Sequence, residues 1–220
     1  IEGIIKNGND RYSLNENSED NAFNKAFKNF PLNKNPEIIA MKISLVDMTN
    51  STNLGRILGN KNYLQNGKHI VREVFTLSDL IRKIISIEDF DERVKQGDIA
   101  LVSELTKWSK DRGANLMSFF SKYCLYHNYC TYGKDDYSIY DSVLQQNLGA
   151  YLTFEEFEQL FPDIISSRDI DIARTVANRI AKMKETCDYE AYWNLIDKIL
   201  TLKNIYDEQV EFKRRKLDHF

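Results

Sequence analysis

The sequence predicts an all-α domain, and three observations carry that expectation. Apolar residues recur every three to four positions through most of the chain from Ile38 onward. Runs of alternating β-branched residues are few, so neither hairpin nor sheet is predicted, and no internal repeat is found. Capping residues stand where the apolar periodicities begin, as in Thr153-Phe-Glu-Glu, a capping box.

Taken in order, residues 1–36 read as an Asn-rich N-terminal extension, punctuated by Pro31 and Pro36. Within it Phe23, Phe27 and Phe30 fall at i, i+4, i+7, the spacing of a short amphipathic helix. The remainder, 37–220, reads as one domain. One helix is expected from Ile38 to about Val46 or Met48, and another from about Ser51, after a stretch of good N-cap residues. Residues 70–87 carry enough apolar side chains for a single, largely buried helix. Shorter helices follow over 89–94 and 99–110, separated by the Gly97-Asp98 turn. Gly113 breaks the chain before a helix starting at Leu116. A Tyr-, Gly- and Asp-rich loop reaches Ser138. The next helix, 140–147, is expected to be capped by Gly149. The capping box opens 154–160, and two long amphipathic helices complete the domain.

Composition excludes several classes. A chain with 42% hydrophobic and 29% charged residues is globular rather than disordered or fibrous. No apolar run approaches the roughly 20 residues that span a bilayer, so no membrane association is expected. The absence of an initiator Met suggests a trimmed start, and the start shows no secretory pattern. Three cysteines, Cys124, Cys130 and Cys187, have no framework spacing and read as reduced thiols, which implies the cytoplasm. Cys124, His127 and Cys130 would need a fourth ligand to hold zinc, and none is near, so no metal is expected. A net charge of −3 does not announce nucleic acid, yet Arg56, Lys61, Lys68 and Arg72 follow one another with few nearby acids.

One region, 116–145, stands apart. Lys122 sits near the start of an aromatic-rich helix, where a lysine is seldom buried unless paired. Asp141 follows Tyr137, Ile139 and Tyr140 at a helix start, where the dipole favours its charged form. A lysine in a dry pocket becomes a usable nucleophile. The plainer account is a snorkelling Lys122 with Asp141 as an ordinary N-cap.

This region resembles the catalytic stretch of the helix-hairpin-helix DNA glycosylases, most closely the 8-oxoguanine DNA glycosylases. Leu116 matches the Leu of the family's Leu-Pro-Gly-Val-Gly hairpin, Lys122 falls on its lysine, and Ser138-Ile139-Tyr140-Asp141 falls on the strand-like approach to its aspartate. The interval from Lys122 to Asp141 is the family's interval. Upstream, Ser51-Thr52-Asn53-Leu54-Gly55-Arg56-Ile57 resembles the family's Asn-Asn-Asn-Ile-Ala-Arg-Ile stretch, which fills the gap left by a flipped base. Ser118 and Phe120 replace the two hairpin glycines, and Val143 stands where the family has a phosphate-contacting His. The resemblance implies a glycosylase-like fold with a helix-hairpin-helix-like element and a monomer acting on double-stranded DNA without a cofactor. It implies Lys122 and Asp141 as catalytic residues, with Ser51, Thr52, Asn53, Arg56, Ser118 and Ser121 against DNA. Phe119, Tyr123, Tyr137 and Tyr140 would line the base pocket. Excision of a modified purine through a lysine Schiff base is the expected activity. A DNA-binding or defence-associated protein that has lost the activity, and an all-α protein-interaction module, are the alternatives.

Overall fold

A computed structural model of the chain describes residues 19–50, 52, 54–58, 60–65, 68–73, 76–164 and 169–203. The fold is all-α, with one small β-hairpin. Helices α1 (Glu19–Asn29), α2 (Pro36–Asn50) and α3 (Leu54–Ile57) lead into strands β1 (Asn60–Gln65) and β2 (Lys68–Glu73). Helices α4 (Leu77–Ser86), α5 (Phe90–Gln96), α6 (Ala100–Lys110) and α7 (Met117–Tyr132) follow. After an extended segment come α8 (Ser142–Asn147), a 3₁₀ turn (Leu148–Tyr151), α9 (Phe154–Leu160), α10 (Ile172–Thr186) and α11 (Tyr189–Leu202).

Helix α7 is the axis of the molecule. Its apolar residues face all directions, and Met117 and Phe119–Asn128 are all buried. Such a helix is stable only if neighbours cover every side. Helices α1, α2, α5 and α6 do so. It ends at Gly133, whose left-handed φ of 67° lets its N–H reach the carbonyls of Asn128 and Tyr129. Helices α6 and α7 form a hairpin through residues 111–116, where Gly113 takes φ 90°.

Beyond Gly133 the chain runs without helix or strand to Asp141, and residues 137–140 are buried, so their backbone polar groups need partners other than a sheet or helix. Helix α11 supplies them from one face, with Tyr189, Tyr192 and Trp193 at i, i+3, i+4. The Tyr189 hydroxyl accepts from Ser138 N at 2.8 Å and donates to Ser138 O at 2.6 Å. The Tyr192 hydroxyl donates to Ile139 O at 2.5 Å, and Trp193 Nε1 donates to Asp136 O at 2.8 Å. From α7, Ser121 Oγ donates to Ser118 O and accepts from Tyr140 N at 3.0 Å. The aromatic residues of α11 thus replace a missing neighbouring strand.

Several sequence expectations need correction. Residues 70–87 are two elements, because β2 runs to Glu73 and α4 begins only at Leu77. The break carries a sequence signal, since Thr76 and Asp79 form a reciprocal capping box. Strands β1 and β2 pair antiparallel from Asn60↔Glu73 to Gln65↔Lys68, with Asn66-Gly67, a hairpin-favouring dipeptide, between them in the sequence. Helix α2 runs on to Asn50 rather than stopping near Met48. Gly149 does not cap a helix. It lies in the 3₁₀ turn, where a Cβ would come within 2.7 Å of Ala173 Cα. The boundary drawn at residue 36 does not separate two units either. Phe27 is fully buried against α7, and Asn33 is buried as well, while Phe30 is exposed. The side chain of Phe23 lies outside the described residues.

The Thr153 capping box acts as expected, with Thr153 and Glu156 capping α9. Asp171 and Asp188 cap α10 and α11.

Removing the Tyr189 hydroxyl orphans two buried backbone groups. Each costs about 1–3 kcal/mol, so Tyr189→Phe is expected to destabilise the protein by about 2 kcal/mol or more in urea unfolding. A loss below about 0.5 kcal/mol would contradict the clamp.

Candidate active site

Lys122 is delivered by the second turn of α7 into the core, where its side chain is 3% exposed. Its ammonium donates to Asp141 Oδ2 at 3.0 Å. The clamped segment brings Asp141 there. Tyr140 N is held by Ser121, one residue before Lys122, so the segment is registered against α7 immediately beside the lysine. The carboxylate of Asp141 has a second task, since Oδ1 accepts from Val143 N at 2.7 Å as the N-cap of α8. Burial raises the carboxyl's pKa, but the Val143 amide and the Lys122 ammonium outweigh it, and the group titrates below the ordinary aspartate range. With a side chain 24% exposed, Asp141 is where the pair meets solvent.

The other sequence-derived residues divide by position. Tyr140 is fully buried beside the pair, edge-on to Tyr192, and its hydroxyl donates to Gln145 Oε1. Burial first, then the charge of Asp141, push that phenol up to about 12. Phe119, Tyr123 and Tyr137 are core side chains, not walls of a pocket. Phe119 packs between Phe120 and Tyr123, the Tyr123 hydroxyl donates to Asn33 Oδ1 at 2.6 Å, and the Tyr137 hydroxyl donates to Asp98 O at 3.2 Å. Assigning those three to a base pocket is therefore corrected: their rings and hydroxyls are already engaged by the protein.

Ser121 is likewise fully buried, and its hydroxyl is engaged by Tyr140 N and Ser118 O. Ser118 is half-buried inside the first turn of α7. The positions matched to hairpin glycines are thus helical, and the turn itself lies earlier, at 111–116. Thr52 donates its hydroxyl to Asp47, whose carboxylate also receives Leu54 N and Gly55 N. It helps build the start of α3. Ser51, Asn53 and the side chain of Arg56 lie outside the described residues.

Two features escaped the sequence reading. The first is Lys184 on α10, whose ammonium lies 5.1 Å from the Tyr140 ring centroid and feels the charge of Asp141. The second is a buried polar cluster that fastens residues 30–36 to the core. Asn33 Nδ2 donates to Asp91 Oδ1 at 2.6 Å, and its backbone N–H donates to the same carboxylate. Lys42 Nζ and the Tyr123 hydroxyl donate to Asn33 Oδ1 at 3.3 and 2.6 Å. His127 Nε2 lies 3.2 Å from Asp91 Oδ1. Burial pushes Lys42 down to about 8, opposed by Asp91, and pushes His127 below the ordinary histidine range. Burial raises the Asp91 carboxyl, but the hydrogen bonds from His127 and Asn33 bring it below the ordinary aspartate range. Cys130 Sγ donates to Asn24 Oδ1 at 3.0 Å.

The family model HI_0787_N, described as an N-terminal domain, matches residues 4–135, more than half of the chain. The chain belongs to that family. The matched region includes Lys122 and ends before Asp141, so the pair bridges the family domain and the segment after it. An uncharacterized protein of Haemophilus influenzae is 34% identical over 87 residues, covering 38% of this chain and 40% of that protein. The match thus spans well under two thirds of the relative's length. No solved structure matches the chain. Among the described residues, no helix is long and apolar enough to cross a membrane.

The ion pair predicts an asymmetry. Asp141→Asn keeps a capping acceptor but leaves the Lys122 ammonium buried without its counter-charge, and should cost about 3 kcal/mol. Lys122→Met leaves a carboxylate that still faces solvent and Val143 N, and should cost about 1 kcal/mol. Denaturant unfolding reads both, and the reverse order would refute the assignment of the buried partner.

The Asn33 cluster predicts a pH dependence. A histidine whose folded pKa is lowered is protonated more readily when unfolded, so stability falls as pH drops through about 6.5. The depressed Asp91 carboxylate adds a further loss at lower pH. Lys42 acts in the opposite window. Stability rises from about pH 8 upward, because the folded amine loses its proton first. Chemical unfolding at pH 5, 7 and 9 should show both slopes. His127→Gln should flatten the acid limb and Lys42→Met the alkaline one.

Proposed function

We propose that the protein is a DNA glycosylase with lyase activity, acting on a modified purine in duplex DNA through Lys122. The observation that carries this reading is the contact of Lys122 with Asp141 at 3.0 Å, a buried lysine paired with a helix-capping aspartate nineteen positions on. Attack requires the free amine, so Lys122 first passes a proton to the departing base or to solvent. Its nitrogen then bonds to the sugar C1′ as the N-glycosidic bond breaks, with the bonding pair leaving on the base. Asp141 stabilises the positive charge that develops on the sugar. The C1′–O4′ bond then breaks, with a proton passing from the attached nitrogen to O4′, and the open sugar is left as an imine of Lys122. Loss of a C2′ proton expels the 3′ phosphate by β-elimination, and water adds to the imine carbon to release Lys122. No metal or organic cofactor takes part in this scheme.

A second reading rests on the burial of Lys122. An ammonium so enclosed also suits a DNA-binding protein on the same scaffold in which the pair is structural and the amine never meets a sugar.

Borohydride trapping separates the two. Purified protein is incubated with duplexes carrying 8-oxoguanine, other modified purines or an abasic site, and Lys122→Gln is run alongside. The proposal expects a covalent adduct with the parent chain that is lost in the variant. DNA binding without an adduct on any duplex would overturn catalysis in favour of the structural pair.

A further inference from the structure

The Lys122–Asp141 pair is internally neutral, and Asp141 already accepts from Lys122 and from Val143 N. A third charge stands beside it. Lys184 projects from the last turn of α10 onto the face of Tyr140, the residue before Asp141, with its ammonium 5.1 Å from the ring centroid. It is half-buried, and burial pushes its amine below the ordinary lysine range, with the charge of Asp141 opposing that fall.

Its polar surroundings set it apart from the other inward-facing lysines. Lys42 donates to Asn33, Lys122 to Asp141, Lys83 to Glu104 and Lys203 to Glu156. Among the described residues, the Lys184 ammonium has a ring face and no oxygen acceptor. Its backbone is nonetheless fixed. Asn115 Nδ2 donates to Lys184 O at 2.6 Å, and Lys110 donates to Glu185 O, tying the end of α10 to the 111–116 turn. A positioned cation with its donors unused, beside a neutral pair that opens to solvent through Asp141, is equipped to take an anion.

We propose that Lys184 is the anion-binding group of this site and takes one phosphate oxyanion of the ligand. An ammonium with three rotatable donors binds a tetrahedral phosphate as a point charge. The aromatic face beneath restricts where the ammonium sits, so the phosphate is held on the solvent side of Tyr140 and the group attached to it reaches Asp141. This rests on the reading of Lys122 and Asp141 as facing a ligand, but not on that ligand being DNA.

The test compares parent protein, Lys184→Gln and Lys184→Arg. With a duplex carrying a tetrahydrofuran abasic analogue, fluorescence anisotropy at about 0.1 M salt should show roughly tenfold weaker binding for Lys184→Gln. The slope of log K against log salt should fall by about 0.9, the value of one phosphate contact. Lys184→Arg should stay within about threefold of the parent. Borohydride trapping at saturating abasic DNA should still yield an adduct with Lys184→Gln and none with Lys122→Gln, which separates an anchor from the nucleophile. Binding by Lys184→Gln with parental affinity and slope would overturn the proposal while leaving the glycosylase reading intact. If the parent does not bind DNA, that reading fails instead, and inorganic phosphate decides the role of Lys184. A saturable shift of its Cε signal in lysine-labelled protein, absent from Lys184→Gln spectra, would support the anchor, and no shift would overturn it.

Discussion

The constraint on which the rest of the structure depends is the need to satisfy a buried, extended backbone that has no neighbouring strand. Residues 137–140 are buried between α7 and α11, and every unpaired amide or carbonyl there would cost about 1–3 kcal/mol. Side chains of α11 and Ser121 of α7 meet that demand at Asp136, Ser138, Ile139 and Tyr140. Because the partners come from both helices, the clamp fixes the segment in three dimensions. Asp141 then emerges at one place, within hydrogen-bonding distance of Lys122. The candidate site is a consequence of how that backbone is buried.

Among the described residues, two lysines are buried, on contacting helices, and the fold treats them differently. Lys122 meets a charged carboxylate that also caps a helix, so its charge is matched. Lys42 meets the neutral amide oxygen of Asn33, with Asp91 one step further away, and burial pushes its amine down to about 8. The first arrangement keeps an ammonium ready beside an opening to solvent. The second ties Asn33 to α2, α5 and α7 in a buried cluster. An amine's chemistry is thus set by its acceptor and its exposure more than by depth alone.

Much of this was legible in the sequence where the signal is local. The capping box at Thr153 and Glu156 and the breaks at Gly97 and Gly113 read directly from residue type and spacing. So did the prominence of Lys122 and Asp141, because a lysine amid Phe119, Phe120 and Tyr123 is conspicuous. The β-hairpin was not seen, because the apolar spacing of residues 70–87 continues across two elements, although Asn66-Gly67 and the Thr76–Asp79 box both mark the break. What stayed hidden depends on distant packing. Asn33, Asp91 and His127 lie on separate elements with no shared motif, and Lys184 is one ordinary lysine in a basic amphipathic helix. The aromatics of α7 and 137–140 looked alike in sequence, and only their partners separate core rings from Tyr140 beside the pair.

The most direct test of this account is the titration of Asp141 itself, followed by carboxyl ¹³C NMR in the parent chain and in Lys122→Met. The account predicts a carboxyl that titrates below the ordinary aspartate range in the parent and moves upward when the ammonium is removed. A carboxyl at or above the ordinary range, or one indifferent to Lys122, would mean that the clamp does not bring the two together in solution.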